Sequence, residues 1–167
     1  EELPVADCPP VRVRLMGEDF VAFRDSSGKV GLLDAHCPHR LADLFFGRNE
    51  EGGLRCVYHG WKFSVAGEIL DMPSEPQGSP MRCNPNLRAK AYPVREAGGI
   101  IWAYLGPQES MPALPDMEFM SLPPQNVHVS KCLMKCNYLQ ALEGSIDTAH
   151  LTFLHHSMAP MEKDVFA

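Results

Sequence analysis

Residues 37–39 read Cys-Pro-His, and residues 56–63 read Cys-Val-Tyr-His-Gly-Trp-Lys-Phe. Each segment offers one soft thiolate and one borderline imidazole, which is the donor set of a metal half-site. The candidate ligands are Cys37, His39, Cys56 and His59. Two thiolates and two imidazoles can hold one zinc ion tetrahedrally. They can also hold a [2Fe–2S] centre, with two cysteines on one iron and two histidines on the other.

The order of the ligands favours the second alternative. Structural zinc modules more often pair cysteine with cysteine and histidine with histidine, whereas the two types alternate here. The order Cys-x-His followed by Cys-x-x-His, together with the stretch from Cys56 to Phe63, resembles the Rieske [2Fe–2S] proteins closely. The resemblance implies a Rieske cluster held by all four candidate ligands, with a zinc module as the alternative.

The residues around the ligands indicate what such a cluster is used for. Rieske proteins of respiratory chains add a cysteine to each loop and a serine that hydrogen-bonds the sulfides, but this chain has Ala42, Tyr58 and Trp61 in those regions. Fewer hydrogen bonds to sulfur lower the reduction potential. The resemblance therefore favours delivery of electrons to oxygen chemistry over their acceptance from quinol. Trp61 and Phe63 are expected to pack over the loops and exclude water, and Arg40 is expected at the surface.

Composition narrows the class of protein further. The 167 residues carry a net charge of −6, which argues against a nucleic-acid partner. No apolar run approaches the roughly 20 residues that span a bilayer, so we expect no membrane segment. The six cysteines are loosely spaced and two of them lie within three residues of a histidine, which fits a reducing cytoplasmic compartment better than a disulfide framework. No secretory leader is recognisable, and we expect a fragment of a longer protein.

Short runs with strand character, separated by turn residues, occupy residues 11–105. They predict a small antiparallel β sandwich or barrel that forms a first domain over residues 1–106. Residues 107–124 contain five prolines and are interpreted as a linker. A new domain is expected over residues 125–167, of which only the beginning is present.

The second domain is predicted to open with a strand over residues 127–135, which would bury Cys132 and Cys136 as free thiols on one face. A helix follows over residues 137–153, because apolar residues recur there at three- and four-residue steps. This predicted stripe consists of Leu139, Leu142, Ile146, Ala149 and Phe153.

A second group of candidate ligands lies near the end of this helix. Asp147 and His150 are three residues apart and share a helix face, whereas His155 would lie roughly 140° away from His150 on a regular helix. The two histidines can bind one metal only if the helix unwinds between residues 151 and 154. Taken alone, this spacing is weak evidence for a metal site.

The segment from Asn137 to Asp147, continued to His150 and His155, resembles the start of the α+β catalytic domain of Rieske non-haem iron oxygenase α subunits, in the phthalate dioxygenase-like branch. The resemblance implies that the two histidines bind a mononuclear Fe(II). It also implies that Asp147 bridges to a cluster histidine of the neighbouring subunit in a homotrimer. The third iron ligand in this family is a carboxylate that falls beyond residue 167.

The implied function is that of a terminal oxygenase component. Electrons from NAD(P)H would arrive through a separate flavin and iron–sulfur reductase or a ferredoxin, and O₂ would be used to hydroxylate or O-demethylate an aromatic substrate, commonly an aromatic acid. The resemblance does not separate dioxygenase from monooxygenase chemistry. The alternative is a stand-alone Rieske ferredoxin, which explains residues 11–105 but gives Asp147, His150 and His155 no purpose.

Overall fold

A computed structural model describes residues 3–155 of the chain. The chain divides into two compact units, Glu1–Val129 and Ser130–Ala167. Among the helices of the described residues, none has the length and apolar character needed to cross a bilayer. The strands, all in the first unit, are β1 (Val11–Leu15), β2 (Glu18–Arg24), β3 (Val30–Asp34), β4 (Arg48–Glu50), β5 (Gly53–Arg55), β6 (Lys62–Phe63), β7 (Ile69–Asp71), β8 (Ala91–Tyr92), β9 (Val94–Ala97) and β10 (Ile100–Ala103).

These strands form two four-stranded sheets and one hairpin. The first sheet has the order β1-β2-β3-β8, the second has the order β4-β5-β6-β7, and β9 pairs with β10 alone. Every pairing is antiparallel. The expected small antiparallel β domain is therefore confirmed.

Strand β2 separates two hydrophobic cores, because successive side chains of a strand point to opposite faces. Phe20 and Ala22 belong to one core, while Val21 and Phe23 belong to the other. The second of these cores also contains Cys37 and Cys56. The candidate ligand cysteines are thus part of the packed interior of the domain.

Strand β4 was not predicted, because its residues Arg-Asn-Glu carry no apolar alternation. Ion pairs hold it in place: Glu50 accepts from Arg48 at 3.1 Å and from Arg55 on β5 at 2.7 Å. The side-chain amide of Asn49 donates to the carbonyl of Cys8 at 2.9 Å and to that of Arg24 at 2.7 Å. Charged pairs rather than apolar burial therefore define this strand.

Up to residue 155, the second unit contains one α-helix, α1, which spans Tyr138–Ile146, and a 3₁₀ helix over Ala149–Thr152. The single helix predicted over residues 137–153 is wrong in its second half. Asp147 takes an extended conformation, and its carboxylate accepts a hydrogen bond from the N–H of Ala149 at 2.8 Å. A side chain that bonds its own backbone in this way competes with continuation of the helix.

Two further expectations for this region fail. Residues 127–135 form no strand, and Cys132 and Cys136 are exposed rather than buried. The stripe on α1 is also open to solvent, since Leu139, Leu142 and Ile146 are exposed within the described residues. Apolar periodicity identified the helix correctly but not the surface that would cover it.

Candidate functional site

The first candidate loop, residues 37–42, is closed by two backbone hydrogen bonds. The N–H of Cys37 donates to the carbonyl of Ala42 at 2.9 Å, and the N–H of Leu41 donates to the carbonyl of Cys37 at 2.9 Å. Leu41 has a φ of +57°, in the left-handed region that non-glycine residues seldom adopt. This conformation lets the chain reverse within six residues.

The second loop, residues 56–61, repeats this arrangement at the same spacing. The N–H of Cys56 donates to the carbonyl of Trp61 at 2.8 Å, and the N–H of Gly60 donates to the carbonyl of Cys56 at 3.1 Å. Gly60 stands where Leu41 stands in the first loop, and its φ is +75°. The two loops therefore present their cysteines from matching positions.

Asp43 anchors the end of the first loop. It pairs with His36 in an isolated β-bridge, and its carboxylate accepts hydrogen bonds from Arg12 at 2.6 Å and from the N–H of Phe45 at 2.9 Å. Burial acts to raise the pKa of Asp43, but the Arg12 guanidinium and the Phe45 N–H outweigh it and hold this pKa below its usual range. The ionised carboxylate thus ties the loop to β1 and caps the short 3₁₀ helix Leu44–Phe46.

The two cysteine side chains lie in the core and close to each other. Cys37 and Cys56 are both 2% exposed. Burial raises the pKa of the Cys37 thiol to about 11, with a smaller contribution from Cys56, while the backbone N–H groups of His39 and Arg40 act in the opposite direction. A bound metal cation deprotonates a coordinating thiol outright. The Cys37 thiol therefore needs a metal to become a thiolate, and backbone N–H donors are directed at its sulfur.

The two histidines form the other half of the site. The ring centroids of His39 and His59 are 4.5 Å apart. Burial lowers the pKa of His39, and the nearby positive charges of His59 and Arg40 lower it further. The Nδ1 atom of His39 is buried and has no hydrogen-bond partner in the part of the chain that the structure describes. A neutral imidazole with an unpartnered ring nitrogen is the form that binds a metal.

Trp61 packs against the His39 imidazole from the core of the domain. Its ring is stacked on that of His39, with a centroid distance of 4.3 Å and an interplanar angle of 2°. Trp61 is fully buried, as is Phe63, and the indole N–H donates to the Ser74 hydroxyl at 3.2 Å. Both aromatic residues belong to the core that contains Cys37 and Cys56, so they pack beside the loops as expected.

The donor set fits a [2Fe–2S] cluster. Such a cluster needs one pair of thiolates and one separate pair of imidazoles, because its two irons take different ligands. The structure pairs Cys37 with Cys56 and His39 with His59. Within residues 3–155, no three His, Cys, Asp or Glu side chains form a group that could hold one metal ion.

The outer edge of the site is apolar. Leu41 on the first loop is 72% exposed, and Val57 and Tyr58 on the second loop are 50% and 64% exposed. The Tyr58 ring lies 3.9 Å from the ring of His59. Arg40 is exposed, as expected. Exposed apolar side chains thus stand on the same two loops as the candidate ligands His39 and His59.

The second group of candidate ligands lies in the second unit. The Nδ1 atom of His150 is 3.3 Å from Oδ2 of Asp147, and the rings of His150 and His155 have centroids 5.2 Å apart. The chain between residues 150 and 155 is a 3₁₀ turn followed by irregular turns, so the α-helical offset between the histidines is removed. The required unwinding is present and begins earlier than expected, at Asp147.

Two residues that support the cluster loops were missed from the sequence. The Asp43 side chain links the end of the first loop to Arg12, which is far away in sequence. The Arg55 side chain donates to the carbonyl of Gly60 in the second loop. Arg55 adjoins the ligand Cys56, but an arginine beside a ligand has no diagnostic pattern. Its partners Glu50 and Asp71 are brought to it only when β4 to β7 assemble into one sheet.

Comparison with known proteins identifies the class to which this fold and site belong. A family model for the Rieske [2Fe–2S] domain matches residues 1–93. The chain therefore belongs to the Rieske [2Fe–2S] family and has a Rieske cluster domain. A second family model, described as LigXa C-terminal domain like, matches residues 103–165.

Within this family, the chain is similar to oxygenase subunits. It is 47% identical to the phthalate 4,5-dioxygenase oxygenase subunit of Pseudomonas putida, over 94% of this chain and 35% of that protein. It is 51% identical to the 3-chlorobenzoate-3,4-dioxygenase oxygenase subunit of Comamonas testosteroni, over 87% of this chain and 33% of that protein. The chain thus spans about a third of the length of these curated relatives.

The fold is also similar to that of a solved oxygenase. A crystal structure of dicamba monooxygenase with non-heme iron and dicamba superposes with a TM-score of 0.59 at 28% identity, covering 67% of this chain and 33% of that one. The similarity supports the antiparallel Rieske architecture described above.

Proposed function

We propose that this chain is part of the terminal oxygenase component of a Rieske non-haem iron enzyme that hydroxylates or O-demethylates an aromatic acid. The observation that carries the proposal is the Asp147, His150 and His155 arrangement, which follows a Rieske cluster domain in the same chain. The matched relatives named above act on phthalate and 3-chlorobenzoate, and both compounds are aromatic carboxylates.

In this proposal the four loop residues hold the cluster, with Cys37 and Cys56 on one iron and His39 and His59 on the other. When bound, the cluster supplies one-electron transfer and a mononuclear Fe(II) supplies O₂ activation. The core around Cys37 and Cys56 excludes water from the sulfur side. The rings of His39 and His59 remain partly accessible and offer the route by which electrons leave.

His150 and His155 are the proposed ligands of the mononuclear iron. Asp147 lies beside Nδ1 of His150, which leaves Nε2 of that ring for a metal and fixes the orientation of the ring. Half of the Asp147 side chain is exposed, so it can also accept a hydrogen bond from a second partner. We assign that partner to a cluster histidine of the neighbouring subunit, and the third iron ligand to a carboxylate beyond residue 167.

This bridge requires a neighbouring subunit, and we assign the assembly to a homotrimer. The exposed apolar side chains of Leu41, Val57 and Tyr58 support this assembly, because exposed apolar patches mark surfaces that bind another protein. We further propose a cytoplasmic location and a flavin and iron–sulfur reductase, or a ferredoxin, as electron donor. The proposed domains are a Rieske domain over 1–106, a linker over 107–124 and the start of the catalytic domain over 125–167.

A stand-alone Rieske ferredoxin is not supported. The match to oxygenase subunits runs past the cluster domain, and a family model matches residues 103–165 as well. A ferredoxin would need none of this second part.

Iron content and a ligand variant of the full oxygenase subunit test the proposal. The wild type should contain about three irons per chain, two in the cluster and one mononuclear. His150→Ala should lose about one of them, retain the EPR signal of the reduced cluster, and give no product with phthalate or 3-chlorobenzoate as probes. His128→Ala serves as a control for loss of an imidazole outside the proposed ligands. About two irons per wild-type chain, or full turnover by His150→Ala, would refute the assignment.

A further inference from the structure

We propose that Arg55 is a positioning residue for the cluster ligand His59. Its Nη1 group donates to the carbonyl of Gly60 at 2.7 Å, and Gly60 directly follows His59 in the chain. The same Nη1 donates to Asp71 Oδ2 at 2.8 Å, and Nε donates to Glu50 Oε1 at 2.7 Å. The guanidinium therefore connects the second cluster loop to β4 and β7.

The guanidinium is itself held firmly. The Arg55 side chain is 12% exposed, and its two carboxylate partners are 34% exposed for Glu50 and 40% for Asp71. Hydrogen bonds between ionised groups are shorter and stronger than those between neutral groups. The planar guanidinium also places its donors in fixed directions, which a lysine ammonium cannot do. Arg55 can therefore hold the Gly60 carbonyl in one orientation.

Both peptide groups that flank Gly60 are then fixed. The N–H of Gly60 donates to the Cys56 carbonyl, and the carbonyl of Gly60 accepts from Arg55. Gly60 has a φ of +75°, and an added Cβ would lie 2.7 Å from Cγ of Pro73. The backbone that carries His59 is thereby restrained immediately after the ligand. A restraint of this kind fixes the direction from which the imidazole can approach an iron.

The positioning role of Arg55 concerns the cluster and not the proposed mononuclear iron, so measurements on the cluster alone test it. Arg55→Gln and Arg55→Lys are compared with wild type in the cluster-loaded chain, by the EPR spectrum of the reduced cluster and by the rate of iron release to a chelator. Arg55→Gln should broaden the EPR lines and release iron about 10- to 100-fold faster. Arg55→Lys should give an intermediate rate, because an ammonium can reach only part of the acceptor set.

Arg48→Gln is the matched control, since Arg48 also donates to Glu50 but its side chain is 61% exposed. It should behave as wild type in both measurements. If Arg55→Gln does not fold, Asp71→Asn replaces it and should shift both measurements in the same direction by a smaller factor. Wild-type EPR line widths and release rates in Arg55→Gln, or in both Arg55→Lys and Asp71→Asn, would overturn the proposal. A purely structural role would lower the melting temperature and leave the spectrum of the loaded cluster unchanged.

Discussion

The indole of Trp61 lies parallel to the imidazole of His39, at 4.3 Å between ring centroids and 2° between ring planes. The stack joins a proposed iron ligand directly to the core, because Trp61 is fully buried among the residues that also surround Cys37 and Cys56. The packing of a fully buried side chain thereby helps to set the position of His39.

Replacement of Trp61 tests this link. Trp61→Ala should lower the free energy of unfolding by about 3–5 kcal/mol, which is usual for a large aromatic residue removed from a core. Trp61→Phe keeps an aromatic ring against His39 but loses the hydrogen bond to Ser74, so its loss should be smaller. Chemical denaturation of the cluster-loaded chain measures both.

Trp102→Phe is a suitable control for Trp61→Phe. The Trp102 indole N–H also donates a hydrogen bond at 3.2 Å, to the carbonyl of Ala97 in the β9–β10 hairpin. Trp102→Phe should leave the visible spectrum of the cluster unchanged, whereas Trp61→Phe should shift that spectrum. Identical spectra for wild type and Trp61→Phe would show that the stack does not influence His39.

The matching left-handed residues of the two loops should differ in how substitution changes stability. Gly60→Ala introduces a Cβ at positive φ and places it 2.7 Å from Pro73, so we expect a loss of more than about 1 kcal/mol in stability. Leu41→Gly relieves a strained conformation of about 1–2 kcal/mol, which offsets the added flexibility of the unfolded chain. Its stability should therefore stay close to that of wild type.

Gly52→Ala separates the backbone strain of a residue at positive φ from the steric contact with Pro73, both of which act at Gly60. Gly52 has a φ of +79° and nothing within 4 Å of an added Cβ, so it reports the backbone effect alone. Denaturant midpoints of the three variants provide the comparison. Equal losses for Gly52→Ala and Gly60→Ala would remove Pro73 from the explanation.

The Asp43 carboxylate should make the domain sensitive to acid. Its pKa is lowered in the folded state, so its contribution to stability is complete above the unfolded value of about 4 and is lost as the pH falls through the folded pKa. Asp43→Asn should therefore flatten the stability curve between about pH 5 and 3. The contribution should not exceed about 1 kcal/mol, because the ion pair with Arg12 is partly exposed.

Asp19→Asn is the control for this experiment. Asp19 pairs with Arg14, but both side chains are more than half exposed, so its removal should change stability little at any pH. Melting temperatures across the pH range report both variants. An Asp43→Asn curve parallel to that of wild type would contradict the predicted acid sensitivity.

Asp147 should matter for turnover without being needed for the cluster. In the full oxygenase subunit, Asp147→Asn keeps the shape of the side chain but removes the charge that faces Nδ1 of His150. Product formation should fall about 10- to 100-fold, as is common when the partner of a metal-bound histidine is changed. The EPR signal of the reduced cluster should be unchanged.

Glu143→Gln provides a charge-matched comparison one turn earlier on α1. It should retain most of the turnover. Equal losses in the two variants would assign the effect to the helix rather than to Asp147.

The sequence predicted the Rieske domain correctly, because its candidate ligands lie in short motifs whose residue types have few other uses together. It also predicted most strands of the first unit, where apolar and polar residues alternate. Strand β4 could not be found in this way, since Glu50 and its arginine partners define it by charge.

The second unit was predicted less well, for a different reason. Periodicity continued past Ile146, but the Asp147 side chain bonds the backbone and ends α1. The supposed strand over residues 127–135 has no strand beside it in the described part of the chain. Apolar periodicity shows neither a hydrogen bond from a side chain to its own backbone nor whether a neighbouring strand exists.

Cys37 and Cys56 belong to the larger hydrophobic core, so a cluster bound to them would be part of the packed interior of the domain. An iron–sulfur centre in that position acts as a cross-link between two loops that are remote in sequence, and binding energy at such a centre is also folding energy. Supply of iron and sulfide during synthesis will therefore govern how much of the newly made chain reaches its mature form and escapes degradation.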